Sequence, residues 1–405
     1  MISVDEALNK ILTAIPVLAP EQVNIANALG RVLAEDVISR VTQPPIDVSA
    51  MDGYAVRAED VADSPTELRI IGEAPAGASY DGTMQSGEAV RIFTGGPVPA
   101  GADSIIMQEN TERPSDDIVI INETVEKGRF VRAAGLDFMA GKVLISKGKS
   151  LTARDIALIA AMNVPWVMVY RRPKVAILAT GDEVVMPGDP IGSNQIVSSN
   201  SLGLAATVQA LGAEPILLGI APDDEQSLRN MAAGAAGADL LVTTGGASVG
   251  DHDLIQKVLG DVGLEVNFWR IAMRPGKPLI FGAINGTPMI GLPGNPVSTI
   301  VCALVYMVPA INKMMGIEDV DAGYSNAKLT SPLGANDQRQ DYLRATLSEN
   351  ENGAIIVTPF GKQDSSMLSL LSKSDALVMR PPFADAADVG ATVKILRFPN
   401  SRTSL

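Results

Sequence analysis

Two short glycine-rich turns constrain this chain more than any other feature: Thr243-Thr244-Gly245-Gly246-Ala247-Ser248-Val249-Gly250 and Gly291-Leu292-Pro293-Gly294-Asn295-Pro296. Each follows an apolar, β-prone run, Leu240-Leu241-Val242 and Pro288-Met289-Ile290, and each opens a segment that reads as helix. Strand, glycine turn and helix in succession build an open α/β sheet, which binds ligands at the carboxyl ends of its strands. Glycine lets the backbone approach a ligand, and helix N-termini favour anions. The pattern predicts a small anionic or phosphate-bearing ligand.

The surrounding segment, Lys174 to Gly316, supports that fold. Val175 to Thr180 reads as a buried strand, Ser201 to Leu211 as helix and Pro215 to Ile220 as strand. Asp224 to Ala236 reads as helix, Leu240 to Thr243 as strand and Asp253 to Leu259 as helix. This alternation is what a doubly wound fold requires. On the N-terminal side, Ile2 to Ile15 has helical spacing with Ser3 as its cap, and Val23 to Val37 reads as a second helix or helix pair. From Ile46 to about Ile145 short β-prone runs (68–71, 89–93, 104–107, 118–121) alternate with Gly/Pro turns, which predicts a β-rich domain. Ser150 to Met162 returns to helix. From Asp321 onward four β-prone runs predict a small barrel.

A chain of 405 residues implies several domains. Its net charge of −14 argues against general binding to nucleic acid or anionic membrane, although a local Arg/Lys cluster can still serve an anionic substrate. With one cysteine, Cys302, and one histidine, His252, neither a disulfide within the chain nor a Cys/His zinc site can form. A metal would need oxygen ligands, which favours Mg²⁺. The N-terminus has no signal-peptide pattern, and the apolar stretch Val297 to Ile311 is too short to span a bilayer and reads as a buried helix. The expected location is the cytoplasm.

Several residues could carry chemistry. Gly246-Ala247-Ser248-Val249-Gly250 matches the G-x-S-x-G pattern of a hydrolase elbow, but that fold places its histidine late in the chain, after the acid. The sole histidine here, His252, stands four residues after Ser248. Ser248 reads better as a hydroxyl and amide aimed at an anion. Carboxylates follow three strands: Asp182 and Glu183, Asp223 and Asp224, and Asp251 and Asp253. All point to one sheet edge, either as caps of the next helices or together as a Mg²⁺ site. Arg270, Arg274 and Lys277 stand on a Pro/Gly-stiffened turn that suits an anion clamp. Gly294-Asn295-Pro296 opens its helix with Pro in the first position, a preorganised N-terminus. The loops 49–55, 93–103 and 135–137, carrying Asp52, Thr94 and Asp137, look like ordinary turns by composition.

Taken in order and spacing, Ser49 to Ala55, Thr94 to Asp103, Thr180 to Glu183, Gly245 to Gly250, Arg274 to Pro278 and Leu292 to Ser298 resemble the molybdopterin molybdenumtransferase family, related to the gephyrin E domain. The resemblance covers nearly the whole chain. It implies a multidomain α/β architecture: a helical domain (21–44 and 142–168), an inserted β-rich domain (45–141), a doubly wound α/β molybdopterin-binding domain (1–20 and 169–320) and a C-terminal β-barrel (321–405). It implies that molybdate is inserted into adenylylated molybdopterin, with Mg²⁺-dependent release of AMP. Glu183, Asp223 and Asp253 would hold Mg²⁺, and Asp251 is the alternative to Asp253 as functional acid. Gly245, Gly246, Ser248 and Gly250, with Pro293, Gly294, Asn295 and Pro296, would hold the pterin and its phosphate. Arg274 and Lys277 would hold molybdate or phosphate. Asp52, Thr94 and Asp137 match active-site positions expected to complete the cleft across a homodimer. Contacts with molybdopterin adenylyltransferase and molybdoenzyme maturation proteins are implied partners; nucleic acid and membrane are not. The segment 362–366 departs from the family in having Asp364 where glycine is expected. A molybdopterin adenylyltransferase shares the α/β domain but lacks the inserted domain and the barrel. A molybdopterin-binding scaffold would need an appended interaction domain.

Overall fold

The computed structural model describes residues 1–245, 264–317 and 323–398. The chain divides into two compact units, one of Met1–Glu35, Lys147–Arg154 and Val167–Leu405, the other of Asp36–Ser146 and Asp155–Trp166.

The larger unit begins with helix α1 (Val4–Ala14). The Ser3 hydroxyl accepts a hydrogen bond from the Glu6 N–H at 3.1 Å, the arrangement expected where Ser precedes Glu by three residues. Its apolar face, Val4, Ala7 and Ile11, is buried. Removing one such side chain as large as Ile11 from water contributes about 1.5–3 kcal/mol. The helix expected over Val23 to Val37 does not form. That stretch holds a strand at Pro20–Asn24 and a short 3-10 turn at Ile25–Asn27. Its backbone is drawn into extended pairing instead: the Gly30 N–H bonds to the Leu151 carbonyl, Leu33 to Lys149 and Ala34 to Met168. Pairing across the fold outweighs a weak local helical preference. Of the segments expected to be helical, 21–44 and 142–168, the helix lies at Ala153–Ala161.

The central sheet contains β1 (Lys174–Thr180), β2 (Glu214–Ala221), β3 (Leu240–Thr244), β4 (Leu264–Arg270), and, after the short strand β5 (Met273–Arg274), β6 (Pro278–Ile284) and β7 (Thr287–Leu292). Its order is β2-β1-β3-β7-β6-β4. The first four strands are parallel, and β6 and β4 are antiparallel additions. Helix α2 (Asn200–Ala210) links β1 to β2, and α3 (Glu225–Ala233) lies between β2 and β3. Alternate residues of β1 enter opposite cores: Val175 and Ile177 pack with α1 and α2, Ala176 and Leu178 with the α3 side. That two-sided burial explains the unbroken apolar run of β1.

Helix α4 (Pro296–Met314) follows β7. It is long and apolar enough to cross a membrane, but 78% of it is buried inside the fold. A wider π turn at Ala303–Met307 precedes Pro309, whose ring and missing N–H would clash with a regular helix.

The C-terminal strands β8 (Tyr324–Leu329), β9 (Gln340–Glu349), β10 (Ile355–Pro359), β11 (Ala376–Arg380) and β12 (Thr392–Arg397) close on themselves. Going round, β9 pairs with β10, β10 with β8, β8 with β12, β12 with β11, and β11 returns to β9. This is the expected barrel. It is stitched to the α/β part by β5, which runs parallel to β9 through Met273↔Gln340 and Arg274↔Asp341. Arg274 donates to both carboxylate oxygens of Asp341, the Nε bond being 2.8 Å, and Nη2 reaches Asn336 Oδ1 at 3.1 Å.

The smaller unit is built on a six-stranded sheet whose strands include Thr66–Ala74, Glu88–Ile92, Ser104–Met107 and Ile118–Ile121, where the four β-prone runs fall.

The stitch between α/β part and barrel titrates. Hydrogen bonds from the Arg339 side chain and N–H, with the charges of Arg339 and Arg274, hold the Asp337 carboxyl at about 2, below its ordinary 3.8. A folded pKa below the unfolded one contributes stability at neutral pH and loses it as pH falls from about 4 to about 2. In thermal unfolding scans across that window, Asp337→Asn is expected to flatten the decline in melting temperature; an unchanged slope would remove Asp337 from the acid response.

Candidate active site

The parallel strands β2, β1, β3 and β7 end on one edge, and the residues that follow them supply the site. Gly245 follows β3 with φ +97°, and a Cβ there would lie 2.2 Å from the Thr180 carbonyl oxygen at the end of β1. Only glycine fits that approach. Gly294, after β7, sits against it: a Cβ on Gly294 would be 3.5 Å from the Gly245 Cα. The two turns read from the sequence therefore meet.

They are also bonded together. Asn200, the first residue of α2, donates from Nδ2 to Thr244 Oγ1 at 3.0 Å and to the Gly294 carbonyl at 2.7 Å. The Thr244 hydroxyl donates to the Pro293 carbonyl at 3.1 Å, and the Thr299 hydroxyl, one turn into α4, donates to the same oxygen at 2.6 Å. Sequence reasoning did not single out Asn200 or Thr299. The polar run Ser198-Ser199-Asn200 before an apolar helix was the available signal.

Pro296 occupies the first turn of α4, as expected. The N-terminus there is partly occupied by the barrel: the Val297 N–H donates to the Ser365 carbonyl at 3.1 Å, and Asn295 Nδ2 donates to Ser365 Oγ at 3.0 Å. The buried Arg344 guanidinium holds this barrel loop, donating to the Met367 carbonyl at 2.9 Å and the Lys362 carbonyl at 3.3 Å. Asp364 accepts from the Ser366 N–H at 2.8 Å and keeps the loop turned. The barrel thus reaches the glycine turns.

The strand-end acids separate into two kinds. Asp224 accepts from the Ser227 N–H at 2.9 Å, and Ser227 lowers its pKa. It is a helix cap. Asp182 accepts from the Asp223 N–H at 3.0 Å, tying the loops after β1 and β2 together, while Asp182, Glu183 and Asp223 are exposed. Among the described residues no three His, Cys, Asp or Glu side chains converge as a cage. Exposed oxygen donors on two adjacent strand ends suit Mg²⁺, which keeps waters and is held by one or two carboxylates plus substrate phosphates.

Of the cations, Lys277 is exposed and forms no ion pair among the described residues. Arg270 stacks on the Trp269 ring at 3.6 Å. Arg274 is committed to the barrel through Asp341, so its first role is to fix the turn. Gly276 seats that turn on α4: at φ +113°, a Cβ would lie 2.3 Å from Cys302 Sγ. Gly246, Ser248, Gly250, Asp251, His252 and Asp253 lie outside the described residues.

In the smaller unit, Asp52 and Thr94 form one exposed pair. The Thr94 N–H and hydroxyl both donate to Asp52 Oδ1, at 2.7 and 2.8 Å. These bonds, the backbone one first, hold the Asp52 carboxyl below its usual range. Asp137 is exposed, with its N–H on the Gln43 carbonyl at 3.0 Å.

Comparison with known proteins matches residues 2–163 to the MoeA N-terminal region (domain I and II), 176–313 to a probable molybdopterin binding domain and 326–398 to the MoeA C-terminal region (domain IV). Molybdopterin molybdenumtransferases of Nostoc sp. and Haemophilus influenzae are each 36% identical over 98% of this chain and 94% and 99% of their own. Two solved structures of a MoeA molybdopterin biosynthesis protein from Pyrococcus horikoshii have TM-scores of 0.86 and 0.82 at 33% and 30% identity. They cover 99% and 98% of this chain and 100% of theirs. With that likeness running from end to end through both glycine turns and the barrel, the chain belongs to the molybdopterin molybdenumtransferase family of molybdenum-cofactor biosynthesis and is a molybdotransferase.

Proposed function

We propose that this molybdotransferase takes molybdate and adenylylated molybdopterin, hydrolyses the adenylate in a Mg²⁺-dependent step and inserts molybdenum at the dithiolene. The observation that carries the reading is the juxtaposition, on one sheet edge, of exposed carboxylates at the ends of β1 and β2 with two interlocked glycine turns. Water adds to the adenylyl phosphorus, the phosphoanhydride P–O bond breaks, AMP leaves, and molybdopterin keeps its own phosphate. Glu183 and Asp223, with Asp253, would hold Mg²⁺. Bound there, the ion would neutralise charge on the pyrophosphate and on the molybdopterin phosphate that leaves the adenylyl phosphorus. The turn carrying Gly245, Gly246, Ser248 and Gly250, and the loop Pro293, Gly294, Asn295 and Pro296, orient the pterin and its phosphate through backbone groups. Lys277 pairs with the oxyanion, and Arg274 holds the turn that presents it. Asp52, Thr94 and Asp137 act on the cleft of a second copy in a cytoplasmic homodimer. An Asp52 held ionised by its Thr94 bonds is suited to orient a hydrogen-bond donor or a cation there rather than to take up a proton.

The deciding assay is AMP release from adenylylated molybdopterin with Mg²⁺, with and without molybdate. Release that needs both, with product that activates a cofactor-free molybdoenzyme, supports the reading; tight molybdopterin binding without release sinks it. Glu183→Gln is expected to slow AMP release at least tenfold and to raise the Mg²⁺ concentration required, whereas wild-type turnover would exclude Glu183. Asp52→Ala is expected to lose activity with little change in melting temperature. If the cleft is shared in a symmetric dimer, 1:1 mixing of Asp52→Ala and Glu183→Gln chains should restore about a quarter of wild-type activity, since half the dimers carry one intact cleft. No restoration would place both residues in one chain's cleft.

A further inference from the structure

Arg91 lies on the strand Glu88–Ile92 of the smaller unit, opposite Tyr54 on the antiparallel strand Gly53–Val56. Tyr54 across the ladder and Phe93 two residues on share its face of the sheet. Its guanidinium carbon lies 5.1 Å and 5.0 Å from the centres of those two rings, within range of a cation–π attraction. Arg91 also donates from Nη1 to the Gly53 carbonyl at 3.1 Å and from Nη2 to Gln108 Oε1 at 2.5 Å. Gln108 in turn donates its backbone N–H to the Asp52 carbonyl at 3.1 Å.

Each of these contacts bears on one of the two turns that make the Asp52–Thr94 pair. Gly53 follows Asp52 and is pressed against the strand Ser104–Met107, where a Cβ would run into the Ile106 carbonyl. Gln108, just after that strand, holds the Asp52 backbone. Phe93 precedes Thr94, whose N–H and hydroxyl both bind Asp52 Oδ1. One planar guanidinium thus fixes both turns at once, which a flexible ammonium does less well. Its charge favours the ionised Asp52 carboxyl as well, after the two Thr94 bonds.

We propose that Arg91 is a positioning residue, which holds Asp52 and Thr94 together as one directed carboxylate site. The inference rests on the reading of Asp52 as an active-site acid. Arg91 itself is turned to the protein through both Nη atoms, so it acts through the pair and not on the substrate.

The test compares the wild-type chain with Arg91→Met, Arg91→Lys and Asp52→Ala. It reads kcat and KM for AMP release from adenylylated molybdopterin, the melting temperature, and the titration of Asp52 by carboxyl-carbon NMR on aspartate-labelled protein. The Asp52 signal is the one lost in Asp52→Asn. Arg91→Met is expected to lower kcat about tenfold or more with KM within about twofold, as misplacement of a catalytic group does. It should also raise the pH at which Asp52 titrates, because a cation near the carboxylate has gone. Arg91→Lys returns the charge and a donor, so kcat should recover to within about fivefold of wild type. Wild-type kcat in Arg91→Met overturns the proposal. So does an unmoved Asp52 titration, which would trace the loss to some other part of the fold. A raised KM with kcat kept would make Arg91 a substrate contact and overturn it too. Should Arg91→Met fail to fold, Gln108→Ala, which keeps the charge and frees Nη2, is expected to lower kcat several-fold, and wild-type kcat there overturns the proposal. Full activity in Asp52→Ala, with the Arg91-dependent titration present, would refute the catalytic reading of Asp52 and leave the positioning standing.

Discussion

The structure of the site depends on one small polar lock. Asn200, Thr244, Thr299 and the Pro293 and Gly294 carbonyls join the ends of β3 and β7 to the starts of α2 and α4. Each bond is worth about 1 kcal/mol net in such a setting. Their value lies in geometry more than in stability. Two loops that would otherwise move independently become one floor, and a preorganised floor avoids the ordering cost that a flexible one pays on each binding event.

The lock in turn relies on elements that are remote in sequence. Thr180 forces glycine at 245 by placing its carbonyl where a side chain would be. The barrel loop 362–367, held by the buried Arg344, covers part of the α4 N-terminus through Ser365. On the other side, Arg274 and Asp341 fasten β5 to the barrel and so fix the turn bearing Lys277. The barrel therefore shapes the α/β site although it supplies no strand to the central sheet.

The acids at the strand ends illustrate how position and partner divide similar residues. Asp224 and Asp223 are neighbours, but Asp224 caps α3 while Asp223 uses its backbone N–H to bind Asp182 and stands with Glu183 on the exposed edge. Asp52 is different again. Its carboxylate is anchored by both donors of Thr94, which fixes its ionisation and its direction together.

The sequence by itself determined the α/β alternation as far as β3, the close glycine approaches at Gly245 and Gly294, the Ser3 cap, the β-runs of the smaller unit and the barrel, while the helix expected over Asp253 to Leu259 lies outside the described residues. These rest on local periodicity and on turn chemistry, which neighbouring residues carry. It misread Val23 to Val37, because hydrophobic spacing there fits a helix as well as a strand and only pairing with 149–151 and 168 decides. Nor could it see that Arg274 would be taken by Asp341, or that Asn200 would bridge two turns 44 and 94 residues away. Contacts at such separations leave no periodic trace. Only the tertiary structure brings these partners together, because burying both faces of the sheet fixes strand order, and strand order decides which loop ends meet.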